Sequence, residues 1–166
     1  MPGNVVVTGL GTVNPLGNNV EESWQALLAG TSGIGRIETF DPEEFGLKTQ
    51  VAGEVRNFDP DELIGKKEAR RLDRFSQMAL VAATEAVGSS GLDITDDIRE
   101  EVGTLVASGI GGASTLVDQA YTIRDRGARR VNPFTVPMLM PNAASGLVSI
   151  RLGALGPSFA TVSACA

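Results

Sequence analysis

The sequence predicts an α/β fold, with a mainly parallel or mixed sheet and helices on its faces. Three observations carry this. Short β-prone runs at 4–8, 102–108 and 158–163 have the length of strands, and the first two have the near-continuous apolar character of strands covered on both sides. Segments with helical periodicity alternate with them. Two of the runs open directly into glycine turns, Gly9-Leu10-Gly11 and Gly109-Ile110-Gly111-Gly112, and strand ends of that kind are where α/β proteins place ligands.

Taken in order, the first strand covers 4–8. Gly9-Leu10-Gly11 reads as a tight turn. It resembles the start of a dinucleotide-binding loop, but Asn14 stands where the third glycine belongs, Pro15 follows, and the helix begins only near Val20. A helix follows at 20–29, capped by Asn19, with Glu22 completing a capping box and Gly30 ending it. Trp24, Leu27 and Leu28 share one face. Residues 31–50 run over the surface, and 51–55 form a short strand. Asp59-Pro60-Asp61-Glu62 starts a short helix that Gly65 stops. Asp73 caps a helix to about Val87, with Phe75, Met78, Ala79, Ala82, Ala86 and Val87 as its apolar stripe. The alanines imply close approach by another element. After the strand at 102–108 comes a helix at 113–126, ended by Gly127. Pro133-Phe134-Thr135-Val136-Pro137 reads as an ordered, non-helical loop. Pro141 starts a helix to about Leu152, Gly153 ends it, and Ser158 to Ser163 forms a buried strand.

Composition excludes several classes. The chain has 166 residues, 42% hydrophobic and 20% charged, which fits one globular domain with a sizeable core. A single cysteine rules out an internal disulfide and fits a reducing compartment. No secretory leader and no apolar run long enough to span a membrane can be read, so a cytoplasmic protein without a membrane partner is expected. The net charge of -6 argues against nucleic acid as a partner. There is no histidine, the commonest general base and metal ligand, so no metal site is expected. Nine of the 14 basic residues nevertheless gather in two short stretches, Lys66 to Arg74 and Arg124 to Arg130.

Cys165 is the chain's only cysteine and follows the last predicted strand. A thiol at a strand end is well placed as a nucleophile, and a helix beginning there would stabilise its thiolate. The ordinary alternative is a small buried hydrophobe.

Four stretches carry a family resemblance. They are Val5-Val6-Val7-Thr8-Gly9-Leu10-Gly11 with Pro15-Leu16-Gly17; Ser108-Gly109-Ile110-Gly111-Gly112; Asn132-Pro133-Phe134-Thr135-Val136-Pro137 with Pro141-Asn142; and Gly156-Pro157 through Ser163-Ala164-Cys165. In this order and spacing the chain resembles the N-terminal part of the β-ketoacyl-acyl carrier protein synthases of the elongating class. The resemblance implies the thiolase-like fold, of which residues 1–166 would be a partial N-terminal half with the C-terminal half absent. It also implies a decarboxylative Claisen condensation in fatty-acid chain elongation. Cys165 would take an acyl group as a thioester from the phosphopantetheine of acyl carrier protein. The enolate of decarboxylated malonyl-carrier protein would then attack it. No other cofactor is implied.

By the same resemblance, Ile110 limits the depth of the acyl pocket, and Thr135 reaches the partner subunit's pocket in a homodimer. Lys67, Arg70 and Arg71, with Arg129 and Arg130, dock the acidic carrier protein. The bland reading of those charges is a solvated helix face. Two histidines and a lysine that serve decarboxylation in the family have no counterpart in these residues, so the chain is expected not to complete elongation alone. A polyketide-type ketosynthase and a non-catalytic chain-length partner subunit stay open as alternatives. The latter usually lacks the cysteine. No G-x-S-x-G elbow supports a serine hydrolase.

Overall fold

A computed structural model describes residues 3–164. In chain order its elements are α1 (Val20–Leu28), β1 (Ile34–Arg36), β2 (Val51–Gly53), α2 (Lys66–Ala69), α3 (Arg74–Ser90), β3 (Thr104–Leu105), α4 (Ala113–Arg126), α5 (Thr135–Leu139), α6 (Ala143–Leu152) and β4 (Ser158–Phe159). A π turn, Asp61–Gly65, leads into α2, and a 3-10 turn, Ala128–Arg130, follows α4.

Helix α3 is the centre. Asp73 has extended backbone and its side chain accepts from Phe75 N–H, as an N-cap should. The helix runs past Gly88 and stops at Gly91, whose φ of +70° is the left-handed cap. Gly88 was the expected break. An exposed glycine inside a helix costs only about 1 kcal/mol, so packing on either side carries the helix through it. The buried line differs too: it runs through Leu72, Ser76 and Leu80, while the expected stripe is half-buried. Leu80 meets Ile64, Leu72 and Val148 in the core, with Val81, Ala83, Val106, Leu147 and Leu152 packed around them. Helix α6 therefore lies on α3 and also packs against β3 and β4.

The alanines of α3 do admit a close neighbour. A Cβ on Gly9 or Gly11 would strike the carbonyls of Ala86 and Ala82. The glycines are thus contact points against α3, not the expected tight turn; the turn lies further on, where Asn14 and Gly17 pair. Glu85 holds the segment down by accepting from Thr12 N–H at 2.9 Å and Val20 N–H at 2.8 Å.

β3 and β4 pair in parallel, Thr104 with Ser158 and Leu105 with Phe159. Hydrogen bonds carry the pairing further, from Gly156 N–H to Val102 O (3.0 Å) and from Ser108 N–H to Thr161 O (3.1 Å). One sheet face rests on α6. There the buried Thr104 hydroxyl donates to Ser145 O, and the Ser145 and Ser158 hydroxyls pair at 3.1 Å. The other face is open: Leu105 is 58% and Phe159 54% exposed. The last strand was expected to be buried, and it is not. The first predicted strand corrects in the same way. Residues 4–8 form no strand among the described residues, and Val5 is fully exposed. β-propensity marks a segment, but a ladder partner makes it a strand.

Other differences are local. Residues 31–50 contain β1, paired antiparallel with β2. In α1, Asn19 accepts from Glu22 N–H as expected, but the Glu22 carboxylate reaches Asn18 N–H instead of closing the box. Trp24, Leu27 and Leu28 stay exposed. Gly65 ends the first helical turn as expected, its φ of +103° breaking the helix, and α2 starts at once on the new course. The proline-bounded loop contains α5. Pro137 sits in the first turn, where its missing N–H has no helical partner to lose.

Candidate active site

The C-terminal ends of β3 and β4 frame a cleft. Ala107, Ser108, Gly109, Thr161, Ser163 and Ala164 line a cavity of about 450 Å³ there. In a parallel pair this is the end where a ligand meets strand termini and the turns that follow them. Gly109 lies against the far wall: a Cβ on it would come 3.7 Å from Ala164 Cα. Ala164 has φ +47°, left-handed backbone that a residue with a Cβ adopts at a cost of about 1–2 kcal/mol. Strained backbone of that kind clusters at active sites and ligand clamps. The next residue is Cys165, the expected nucleophile, which lies outside the described residues.

Ile110 follows Gly109 on the turn between β3 and α4 and is 69% exposed. The turn itself is fixed. Gly111 N–H donates to Ser108 Oγ at 2.8 Å, and Gly112 N–H donates to Leu139 O at 3.1 Å. Gly111, at φ +82°, presses on Leu139 and Pro141 so closely that no side chain fits. Thr135 is held as well, its hydroxyl donating to Asn132 O at 2.5 Å. The glycine turn and the Thr135 loop are thus in contact, and the structure brings these two predicted features together.

The expected docking cations lie on two neighbouring stretches. Lys66, Lys67, Arg70 and Arg71 line a shallow depression of about 530 Å³ with Asn132, Pro133 and Phe134. Arg71 stacks on Phe134, 4.7 Å from the ring centre, which ties α2 to the Thr135 loop. Arg129 and Arg130 are exposed on the 3-10 turn just before Asn132. Among the described residues, none of Lys67, Arg70, Arg71, Arg129 and Arg130 takes part in an ion pair.

Their neighbours differ. Arg74 donates to Val55 O, and Arg124 grips Asp125. The Arg124 hydrogen bond holds the Asp125 carboxyl below its ordinary range. Among the described residues Lys48, Lys66, Arg74 and Arg126 are likewise without an ion pair, so it is the clustering of the predicted docking set, not its lack of partners, that sets it apart. No group of described acidic or cysteine side chains could hold a metal ion, and no helix of the described residues is long and apolar enough to cross a membrane.

The chain is similar to known proteins along nearly its whole length. The family "Beta-ketoacyl synthase, N-terminal domain" matches residues 3–166. A 3-oxoacyl-acyl-carrier-protein synthase 2 of Staphylococcus aureus is 49% identical over 98% of this chain, which covers 39% of that protein. One from Synechocystis sp. is 43% identical over 98% of this chain and 38% of its own length. Among solved structures, the ishigamide ketosynthase/chain length factor superposes with a TM-score of 0.79 at 27% identity, over 97% of this chain and 40% of that one. The chain thus spans about two fifths of the length of these relatives.

Proposed function

The chain belongs to the β-ketoacyl synthase family, as its N-terminal domain, and from that premise we propose that it carries the acyl-accepting nucleophile of a chain-elongating condensing enzyme. Cys165 is that nucleophile. Its thiolate attacks the thioester carbonyl of an acyl-carrier protein, the phosphopantetheine thiol leaves, and a new thioester forms on Cys165. The enolate left when malonyl-carrier protein loses carbon dioxide then displaces Cys165 from the acyl carbon, giving the β-ketoacyl product. Backbone N–H groups at the cleft would stabilise the oxyanion of each step.

The observation that supports this most is the left-handed Ala164, at the mouth of a strand-end cleft and directly before the only cysteine. Ile110, on the turn beside Gly109, sets the acyl depth. Thr135 contributes to the acyl pocket of a partner subunit. β4 pairs only with β3 among the described residues, so its second edge is a template for pairing with another copy, which fits a homodimer. The unpaired Lys67, Arg70, Arg71, Arg129 and Arg130 receive an acidic carrier protein, and their field would speed encounter at low salt. No further cofactor enters, and the cytoplasm is the compartment. The presence of Cys165 weighs against a non-catalytic chain-length partner.

The test is product formation in a synthase of the relatives' length carrying these residues. Hexanoyl- and malonyl-carrier protein should yield a β-ketoacyl product and carbon dioxide, and Cys165→Ala should yield no condensed product. Condensation that survives in Cys165→Ala would overturn the assignment.

A further inference from the structure

Helix α4 begins without a cap of its own. Gly112 stands at its N-cap position and offers no side chain to the first-turn N–H groups. The missing acceptor comes from 42 positions away. Asp73 Oδ2 accepts from Thr115 N–H at 3.1 Å and from the Thr115 hydroxyl at 2.6 Å, and both partners are buried. The other oxygen of the same carboxylate, Oδ1, accepts from Phe75 N–H and caps α3. One carboxylate therefore serves two helix N-termini. Among the described residues no lysine or arginine forms an ion pair with it, so its charge is met by backbone and hydroxyl dipoles alone.

The junction reaches the cleft through short covalent steps. Gly112 lies so near that a Cβ on it would stand 3.0 Å from Asp73 Oδ2 and 2.8 Å from Leu139 Cα. Ile110 is two residues before Gly112. Asp73 is also two residues after Arg71, which stacks on Phe134 beside Thr135. The carboxylate thus touches the start of α4 beside the Ile110 turn, and it follows the basic stretch by two residues.

We propose that Asp73 is a positioning residue for acyl-length selection: by capping α4 from outside, it holds the turn that carries Ile110 at a fixed depth against the acyl chain. This rests on the pocket role assigned to Ile110 above. Without the clamp the first turn of α4 frays, the Ile110 turn yields, and longer acyl chains enter more easily.

The test uses a synthase of the relatives' length carrying these residues, assayed with hexanoyl- and tetradecanoyl-carrier protein. The readout is the long-to-short ratio of kcat/KM. A lower fraction of folded enzyme cancels in that ratio, so a merely structural role would not move it. Asp73→Asn keeps the shape but puts an amide donor in place of one of the two accepting oxygens, so at least one of the three bonds is lost. It should raise the ratio roughly tenfold, the scale on which pocket contacts discriminate methylene groups. Thr115→Val, which removes only the hydroxyl, should raise it less, and Thr115→Ser should retain the original ratio.

A ratio that falls, or stays within about twofold of the parent in both Asp73→Asn and Thr115→Val while the thermal midpoint drops, overturns the proposal. If the parent protein condenses neither chain, the condensing-enzyme reading fails and this inference fails with it. That outcome is distinct from a working enzyme whose ratio does not respond.

Discussion

The two faces of the β3–β4 sheet are finished in opposite ways. Toward α6 and α3 the packing is tight and most polar groups are met: Thr104, Ser145 and Ser158 hydrogen-bond to one another, Leu80 is 1% exposed, and Asp73 meets three donors, although the buried Ser76 hydroxyl has no partner. On the other side Leu105 and Phe159 stand about half exposed, as does Val162 just beyond β4. The residue types alone do not separate the two sides, since leucine and valine occupy both. What separates them is whether another described element lies within reach. The cleft and its glycine turn sit where the two kinds of surface meet, so the closed side fixes the wall against which the reacting chain would bind.

The sharpest way to break this contrast is one substitution made on both sides. Leu80→Ala should cost about 3–4 kcal/mol in urea denaturation, because a fully enclosed leucine leaves a cavity. Leu105→Ala in the same chain should cost less than about 0.5 kcal/mol. Equal costs would mean that the open face is covered. Gly112→Ala comes next. Its Cβ would press on Leu139 and on the Asp73 carboxylate, and a loss of about 2–3 kcal/mol is expected, read as a lower thermal midpoint. A neutral Gly112→Ala would mean that the junction is loose.

Arg70→Glu with Arg71→Glu should raise KM for carrier-bound substrate about tenfold, with the gap narrowing as salt rises, and should leave kcat nearly unchanged. An unchanged KM would return these cations to an ordinary solvated face. The smallest effect belongs to Leu105→Ser. It should lower the binding of an apolar fluorescent dye to the open face without moving the thermal midpoint by more than about 2 °C.

Much of this was readable from the residues. Local signals proved dependable where a few adjacent positions decide the outcome. Asn19 and Asp73 cap as expected, Gly127 and Gly153 end their helices, and α4 has the expected bounds. The family followed from four short stretches in fixed order. The larger failures depend on a distant partner, although the alanines of α3 did announce theirs. Residues 4–8 look like a strand, yet no described strand pairs with them. Gly9 and Gly11 look like a turn, and their purpose is to let Ala82 and Ala86 come close. The second role of Asp73 was hidden for the same reason. One sign of it did exist in the sequence: a helix beginning at glycine, with no side-chain cap, has N–H groups that something else must meet. The site residues divide along the same line. The turn that carries Ile110 and the segment that follows Thr135 touch through Gly112 and Leu139, which no periodicity announces.

The most direct measurement is intact-mass spectrometry of a synthase of the relatives' length carrying these residues, after incubation with hexanoyl-carrier protein. The protein should gain the mass of one hexanoyl group, and Cys165→Ala should gain nothing while still binding the carrier protein. An adduct of the same mass on Cys165→Ala, or none on the parent protein despite carrier binding, would contradict the assignment of Cys165 as the acyl-accepting nucleophile.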